Sequence, residues 1–270
     1  MKTLLVATDF SSNSASAIRF AIQLASQNNF ALTFFHSCHI QRPTAWKDSV
    51  YATFEQNELS KQEQSLQEFV KSSYTGSAPM PEHFDYRIHN GTETDLNIME
   101  FAAKNKYDYI CIGRTGHGKS IKLFGSITSH LITKSQVPVI AVPDNYRETK
   151  IEKVTYASDM NNIDKELKLV LEFSQSINAE LEVLHFKTPG DELIKSTAPD
   201  FPGKFHVENL NYEKTLIENI DGVIKQSDTS MLIMFTQQKR TFFEKLFVSS
   251  ISAEYASIID IPILVFKKPQ

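Results

Sequence analysis

Glycines that follow an apolar run in the first half of the chain have a spacing that suits an anion. Ile110, Cys111 and Ile112 are typical of a buried strand. The glycines after them are Gly113, Gly116, Gly118 and Gly125. Glycine lets a backbone turn sharply and approach a ligand, so that its N–H groups can bind an anion. A helix is predicted over 127–132, and its first turn would also attract an anion. The pattern predicts a phosphate site.

Part of this stretch also matches a second phosphate-binding pattern. The run from Gly113 to Ser120 fits Gly-x4-Gly-Lys-Ser, the P-loop, in which Lys119 would reach the phosphates and Ser120 would hold Mg²⁺. Against this interpretation, Gly125 interrupts the helix that should follow at once, and no strand offers a spare metal-binding aspartate. A P-loop NTPase is therefore the less favoured alternative, and a tight turn without a ligand is another.

Composition excludes several classes of protein. The chain has 270 residues, 41 % of them hydrophobic, which allows one large or two small soluble domains. A net charge of −4 without clusters of Lys or Arg argues against general binding of nucleic acid or membrane surfaces. No apolar run approaches the length of a membrane-spanning helix. The cysteines, Cys38 and Cys111, form neither a metal motif nor a disulfide framework, and a reducing cytoplasm is expected.

The chain repeats itself with a period of about half its length. Three pairs of segments match, namely 4–9 with 154–159, 31–36 with 180–185, and 137–142 with 261–266. The first pair is a strand that ends in Asp9 or Asp159, and the second is a strand that ends in His36 or His185. The third pair starts with a proline dipeptide, which suits the beginning of a strand.

Other elements lie between these repeated segments. Apolar spacing predicts a helix from Asn57 to Ser72, and alternation predicts a strand around residues 84–88. A further helix is expected from Asp95 to Lys104, capped by Thr92 or Thr94. Its counterpart in the second half is expected from about Thr215 to Gln226.

Strands that alternate with helices predict an α/β fold of two tandem doubly wound domains. Each domain is expected to hold a roughly five-stranded, mainly parallel sheet with helices on both faces. A polar run near 144–150 places the boundary, giving domains 1–147 and 148–270. Because ligands bind beyond the carboxyl ends of such strands, Asp9, His36 and Gly113 should converge.

With these residues placed, the chain resembles the universal stress protein family in its tandem two-domain form. That family opens with a strand ending in Asp, here Val6 to Asp9, and has a second strand ending in His36. Its nucleotide-binding members carry Gly-x2-Gly-x9-Gly-Ser/Thr after the fourth strand, and a fifth strand starts with a pair such as Pro138-Val139. The resemblance covers nearly the whole chain and implies an adenine nucleotide alpha hydrolase-like fold.

The resemblance implies a set of nucleotide-binding residues, which are Ala7, Thr8, Asp9, Ser37, Ile112, Gly113, Gly116, His117, Gly125, Ser126 and Ile127. Ala7, Thr8 and Ser37 would line the base pocket, and Asp9 would lie at the ribose and adenine end. The glycines would wrap the phosphates, and Ser126 would donate a hydroxyl to them. Arg114, His117 and Lys119 would either touch phosphate or face solvent.

The sequence departs from the family pattern in two places. Eight residues rather than nine separate Gly116 from Gly125, so that AMP or ADP could fit as well as ATP, with or without Mg²⁺. In the second half, residues 235–240 replace the glycine loop and Ser249-Ser250 replaces Gly-Ser. The C-terminal domain is therefore expected to bind no nucleotide. Asp159 would then cap a helix, a role that is also an alternative for Asp9.

The resulting prediction is a cytoplasmic stress-response protein that binds ATP, ADP or AMP in its N-terminal domain and acts as a sensor or adaptor. An enzyme is not predicted, because no metal cluster or general base is recognisable, although slow ATP hydrolysis is compatible with such a site. The fifth strands, 139–142 and 263–266, should pair the domains into an intramolecular pseudo-dimer, with a protein partner that the sequence does not identify. A scaffold that binds no nucleotide is the alternative.

Two kinds of residue in these motifs have structural interpretations. His36 and His185 are expected to be structural residues at strand ends rather than ligands or bases. Cys111, within an apolar strand, is expected in the core.

Overall fold

The computed structural model describes residues 1–114, 125–160, 163–187, 201–236 and 259–269. The first half contains β1 (Lys2–Thr8), α1 (Ser12–Gln27), β2 (Phe30–Cys38), α2 (Asp48–Ser73), β3 (Phe84–Asn90), α3 (Thr94–Lys104), β4 (Tyr109–Arg114), α4 (Ser126–Lys134) and β5 (Val139–Pro143). The second half contains β6 (Lys153–Ala157), α5 (Ile163–Ser176), β7 (Glu180–Lys187), β8 (Lys204–Asn209), α6 (Leu216–Gln226), β9 (Met231–Thr236) and β10 (Ile263–Lys267).

The strands form one ten-stranded sheet in the order β3-β2-β1-β4-β5-β10-β9-β6-β7-β8. Neighbouring strands within each half are parallel. The order of the second half mirrors that of the first, so each half is a doubly wound five-stranded unit. The predicted fold class is confirmed, whereas the boundary between residues 147 and 148 stays a prediction.

The two halves meet through an antiparallel pair of strands. Residues 263–265 of β10 lie opposite residues 139–141 of β5, with Leu264 facing Ile140. The predicted pairing of the fifth strands is thereby confirmed. Because all these residues are buried, the junction is continuous with the interior of each half.

Each face of the sheet carries an apolar core that extends across both halves. One core is covered by α1, α2 and α5, and Tyr109 of the first half contacts Phe173 of the second, with ring centroids 5.4 Å apart. The other core is covered by α3, α4 and α6. Cys111 is fully buried in the first core, as expected.

Helix α2 is longer than its sequence pattern predicts. It begins at Asp48, nine residues before the predicted start at Asn57. Contacts with the preceding loop stabilise the added turns, since the Tyr51 hydroxyl donates to the carbonyl oxygen of Ile40 over 3.1 Å. Periodicity could not show this because these turns are held by a loop rather than by an apolar face.

The predicted caps of α3 are wrong. The N-cap position is Glu93, and it makes no side-chain hydrogen bond to the helix. Thr94 is instead the first helical residue. In α6, the counterpart of α3 in the second half, Thr215 caps the helix and exchanges hydrogen bonds with Glu218, which forms a capping box.

Within the part of the chain that the structure describes, no helix is both long and apolar enough to cross a membrane.

Candidate functional site

A pocket lies at the carboxyl ends of β2, β1 and β4, which are neighbours in the sheet. It is lined by Ala7, Thr8, Asp9, Ser11, Asn13, Ser14, Phe35, Ser37, Thr94, Ile98, Ile112, Gly113, Gly125, Ser126, Ile127 and Thr128. The first turns of α1, α3 and α4 therefore all border it. Such a position is where open α/β sheets bind ligands.

The structure brings most of the predicted site residues together around this pocket. Nine of them line it, namely Ala7, Thr8, Asp9, Ser37, Ile112, Gly113, Gly125, Ser126 and Ile127. Gly116 and His117 lie outside the described residues, as do Lys119 and Ser120 of the P-loop pattern. The nucleotide contacts assigned to all of them stay predictions.

The turn between β1 and α1 is fixed by a network of hydroxyl groups. The hydroxyl of Thr8 donates to that of Ser14 over 2.8 Å and accepts from the backbone N–H of Phe10 over 3.1 Å. Phe10 has a φ of 63°, in the left-handed region that bulky residues rarely adopt. Ser11 is the N-cap of α1, since its hydroxyl accepts from the N–H of Ser14 over 3.3 Å. This network holds Asp9 at the pocket.

Asp9 presents a carboxylate to the pocket. Burial acts to raise its pKa, but hydrogen bonds from Ser11 and Ser14 outweigh this effect, and the pKa is lowered below 3.8. The N–H of Ser11 donates to Asp9 Oδ1 over 3.1 Å. Asp9 is therefore ionised at neutral pH and can only accept hydrogen bonds. The alternative in which Asp9 caps α1 is wrong, because Ser11 caps that helix.

Gly113 lies at the point where β4 passes the start of α1. A Cβ at this position would be 2.2 Å from the carbonyl oxygen of Asn13 and 2.9 Å from the backbone nitrogen of Ser14. Real Cβ atoms do not approach backbone atoms so closely, so only glycine fits here. The requirement for glycine thus comes from packing between β4 and α1, in addition to any contact with a ligand.

Helix α4 opens onto the other side of the pocket. Its N-cap is Gly125, which has no side chain to cap the helix. The first backbone N–H groups of a helix have no partner within the helix, and the helix dipole adds positive potential there. Ser126 and Ile127 are exposed, and the Thr128 hydroxyl donates to the carbonyl oxygen of Gly113 over 3.3 Å. This end of the pocket is suited to an anion.

The predicted options for Arg114, phosphate contact or solvent exposure, are wrong. Arg114 is 2 % exposed, and its guanidinium donates to the carbonyl oxygen of Ile259 in the second half. Burial lowers its pKa to about 10, although Asp260 and Asp144 act in the opposite direction. Because β4 pairs with β5 as far as Arg114, the chain is still a strand at the second residue of the P-loop pattern.

The equivalent end of the second half has different chemistry. Lys268 Nζ lies 3.1 Å from Asp159 Oδ2 and 3.3 Å from Glu166 Oε1. Tyr156 donates its hydroxyl to Glu166, which is 1 % exposed. Burial raises the pKa of Glu166, which Tyr156 and Lys268 partly offset. Lys268 therefore forms an ion pair with Asp159, which the sequence did not predict.

The residue that corresponds to Gly113 in the second half is Phe235. Its strand register makes them equivalent, since Val6 pairs with Cys111 in the first half and Tyr156 pairs with Ile233 in the second. Phe235 is buried, with its ring centroid 5.4 Å from that of Tyr156 and 5.2 Å from that of Phe266. The remaining residues of the predicted replacement loop, and Ser249 and Ser250, lie outside the described residues.

The two histidines make the same contact in both halves, but β2 and β7 each continue two residues beyond them, so the prediction that these strands end in His36 and His185 is wrong. His36 Nδ1 lies 2.8 Å from the carbonyl oxygen of Thr8, and His185 Nδ1 lies 3.0 Å from that of Ser158. Each ring thus fixes the end of the neighbouring strand. This agrees with their interpretation as structural residues.

Seven of the lining residues were not predicted from the sequence, namely Ser11, Asn13, Ser14, Phe35, Thr94, Ile98 and Thr128. Ser11 could have been found, because a serine before an apolar helical pattern signals an N-cap. Phe35 and Ile98 carried no such signal, since their apolar side chains are typical of any core.

Both the sequence and the fold of this chain are similar to those of known proteins. The sequence model of the universal stress protein family matches residues 1–143. The structure is similar to that of a universal stress protein from Archaeoglobus fulgidus DSM 4304, with a TM-score of 0.65 and 16 % identity over 99 % of this chain and 98 % of that one. It is also similar to a functionally unknown protein from Pseudomonas aeruginosa PAO1, with a TM-score of 0.56 and 12 % identity over 99 % and 92 % of the two chains. At these identities the likeness shows a shared fold. No curated protein sequence matches the chain.

Proposed function

Since this chain belongs to the universal stress protein family, we propose that its N-terminal half binds one adenine nucleotide and that the protein acts as a cytoplasmic stress sensor or adaptor. The observation that carries the proposal is the position of the first turn of α4, which faces the same pocket as Asp9 and Ser37. ATP, ADP and AMP all carry the anion that this turn suits.

The order of the strands gives the nucleotide a direction. Ser37 on β2 and Gly113 on β4 lie on opposite sides of β1, which ends at Asp9. The phosphates would bind beside Gly113 and the start of α4, where backbone N–H groups are available. Asp9 is ionised and repels phosphate, so it would accept a hydrogen bond from a ribose hydroxyl. The base would then lie beside Ser37, against the apolar side chain of Ile98.

The second half would serve as a structural partner without a nucleotide. Lys268 neutralises Asp159, the counterpart of the carboxylate that we assign to the ribose. Phe235 replaces the glycine that lets α1 approach β4 in the first half. Both features support a stoichiometry of one nucleotide per chain.

A substitution at the first residue of α4 tests the proposal without disturbing the helix. Ser126→Glu adds a negative charge at an exposed helix start, where acidic residues favour the helix but repel phosphate. We expect about a 10-fold loss of affinity for ATP and less than about a 2-fold change for adenosine, which has no phosphate. Calorimetric titration of the full chain with ATP, ADP, AMP and adenosine measures both.

Ser12→Glu is the matched control. Ser12 is the first residue of α1 and is exposed, but it does not border the pocket. It receives the same charge at the same helical position and should leave ATP binding within about 2-fold of wild type, because the charge acts through solvent.

The same titrations separate the alternatives. No binding of any nucleotide would refute the proposal and favour a scaffold. Two nucleotides per chain would refute the empty second half. Binding that requires Mg²⁺, turns over ATP and is lost in Lys119→Ala would favour the P-loop alternative.

A further inference from the structure

Ser37 accepts a hydrogen bond from an amide on helix α3. Asn97 Nδ2 of α3 donates to Ser37 Oγ over 2.8 Å. Ser37 borders the pocket, whereas Asn97 does not belong to the described lining. Asn97 lies on α3 between Thr94 and Ile98, which do border the pocket.

This contact decides what the serine can offer. A hydroxyl has one donor and two acceptor sites, and Asn97 uses one of the acceptors. Among the described residues, no acceptor is found for the hydroxyl proton of Ser37, and because Ser37 borders the pocket, this proton can be donated to a ligand there. Ser37 is therefore set up as a hydrogen-bond donor.

The position of Asn97 depends on Gly91. A Cβ at residue 91 would lie 2.5 Å from Asn97 Nδ2 and 2.6 Å from its Oδ1. The N–H of Gly91 donates to the carbonyl oxygen of Cys38 over 2.8 Å, which ties Gly91 to the residue after Ser37. Gly91, Asn97 and Ser37 thus form one packed unit, in which the glycine makes room for the amide.

We propose that Asn97 is a positioning residue that directs the Ser37 hydroxyl as a donor to an acceptor nitrogen in the ring of the bound base. This inference rests on the proposed nucleotide site and adds the chemistry of its base end. The apolar side chains of Phe35 and Ile98, both buried, line the pocket beside it. A purine ring nitrogen can accept the hydrogen bond from Ser37, whereas an exocyclic amino group cannot, because it is a donor.

Deaza analogues of ATP identify the atom that Ser37 contacts. Each analogue replaces one ring nitrogen, at position 1, 3 or 7, by C–H and so removes one acceptor. We expect one of the three to bind the wild-type full chain about 3- to 10-fold more weakly than ATP does, as for the loss of one neutral hydrogen bond. In Ser37→Ala, which lacks the donor, the same analogue and ATP should bind equally.

Asn97→Asp tests the role of the amide with almost no change in shape. A carboxylate can only accept hydrogen bonds, so the introduced carboxylate would accept a hydrogen bond from the Ser37 hydroxyl and turn this donor away from the base. ATP should then bind about 3- to 10-fold more weakly, and the discriminating analogue should lose its disadvantage. A repulsive effect of the added charge would weaken ATP and its analogue equally, so the ratio separates the two explanations.

Asn57→Asp is the control, because it makes the same substitution at an exposed position on α2, away from the pocket. It should preserve both the affinity for ATP and the analogue ratio, and thermal unfolding should show that all variants are folded. The inference is overturned if no analogue distinguishes wild type from Ser37→Ala, or if Asn97→Asp keeps the wild-type ratio. If wild type binds ATP, either result leaves the proposed function standing, whereas absence of ATP binding removes both.

Discussion

The carbonyl oxygen of Asn13 lies 2.2 Å from the place where a Cβ at Gly113 would be. The start of α1 and the end of β4 are therefore in backbone contact, and Asn13, Ser14 and Gly113 all line the pocket at this contact. A glycine that the sequence suggests for phosphate binding is also a condition of the fold at that point.

Gly113→Ala should destabilise the protein by about 1–3 kcal/mol, because the added methyl group forces two backbone segments apart. Gly222→Ala is its control. Gly222 lies within α6, and an added Cβ there meets nothing within 4 Å, so this variant should gain about 0.5–1 kcal/mol from better helix propensity. Urea unfolding of the two variants measures both, and equal stabilities would contradict the packing role of Gly113.

Removal of the α1 cap should affect both the helix and Asp9. Ser11→Ala should cost about 1 kcal/mol, as expected for loss of an N-cap. It should also move the pKa of Asp9 upward towards 3.8, because Ser11 supplies hydrogen bonds that lower it. Because folding lowers the pKa of Asp9, its carboxylate stabilises the fold at pH values above the unfolded-state pKa, and this contribution is lost as the pH falls. The stability deficit of Ser11→Ala should therefore be smaller at pH 3 than at pH 7.

An NMR titration of the Asp9 carboxyl carbon would follow the pKa directly. Ser12→Ala removes a neighbouring exposed hydroxyl that does not cap the helix, and it should leave the pKa of Asp9 at its wild-type value. An unchanged Asp9 pKa in Ser11→Ala would show that Ser14 and the backbone alone are sufficient.

Lys268 should be essential to the stability of the second half. Lys268→Met leaves the buried carboxylate of Glu166 without its cation, at a cost of about 3 kcal/mol at pH 7. Glu166→Gln removes the charge but keeps an acceptor for Tyr156 and leaves Lys268 with Asp159, so it should cost less than about 1 kcal/mol. Urea unfolding at several pH values compares the variants.

The pH dependence of this cluster has a defined sign. The pKa of Glu166 is raised above 4.5, so the folded protein binds more protons than the unfolded chain just above that pH. The contribution of this group to stability therefore falls as pH rises through the window above 4.5. Lys268→Met should show a larger deficit at pH 7 than at pH 4.5, and Glu166→Gln should flatten the profile. A deficit independent of pH would show that lost packing, not charge, is responsible.

The buried guanidinium of Arg114 should stabilise the contact between the halves. Arg114→Ala loses the hydrogen bond to Ile259 and leaves a cavity, at a cost of about 2–3 kcal/mol. Arg114→Met fills the space without a charge and should cost less than about 1.5 kcal/mol. Hydrogen exchange over residues 259–267 should become faster in the alanine variant, and unchanged exchange would contradict a role at this junction.

Much of the fold could be predicted from the sequence because its signals are local. The apolar runs before Asp9 and before Gly113 define strands, and the matching segments in the second half indicate a second copy of the same topology. The start of α2 at Asp48 could not be predicted, since it depends on the contact of Tyr51 with the loop at Ile40. The uncapped start of α3 at Thr94 was missed because position 93 is a glutamate, a weak cap.

The pocket could be predicted in part for a similar reason. Residues at the carboxyl ends of strands, such as Asp9 and Ser37, converge in any doubly wound sheet. Asn97 and Arg114 show the limit of this reasoning, because their partners Ser37 and Ile259 are distant in sequence and belong to other elements. Only packing reveals that an arginine next to the glycines turns away towards the other half of the molecule.

The two halves that meet at the antiparallel contact between β5 and β10 belong to one chain, so their sequences can diverge independently. In a dimer of identical chains every substitution appears twice, once on each side of the axis. Here the halves are tethered by residues 144–152, so their meeting is a first-order event at an effective concentration of about millimolar, and dilution does not separate them. The chain can therefore keep Gly113 in one half and Phe235 in the other, an asymmetry that a homodimer has no means of encoding.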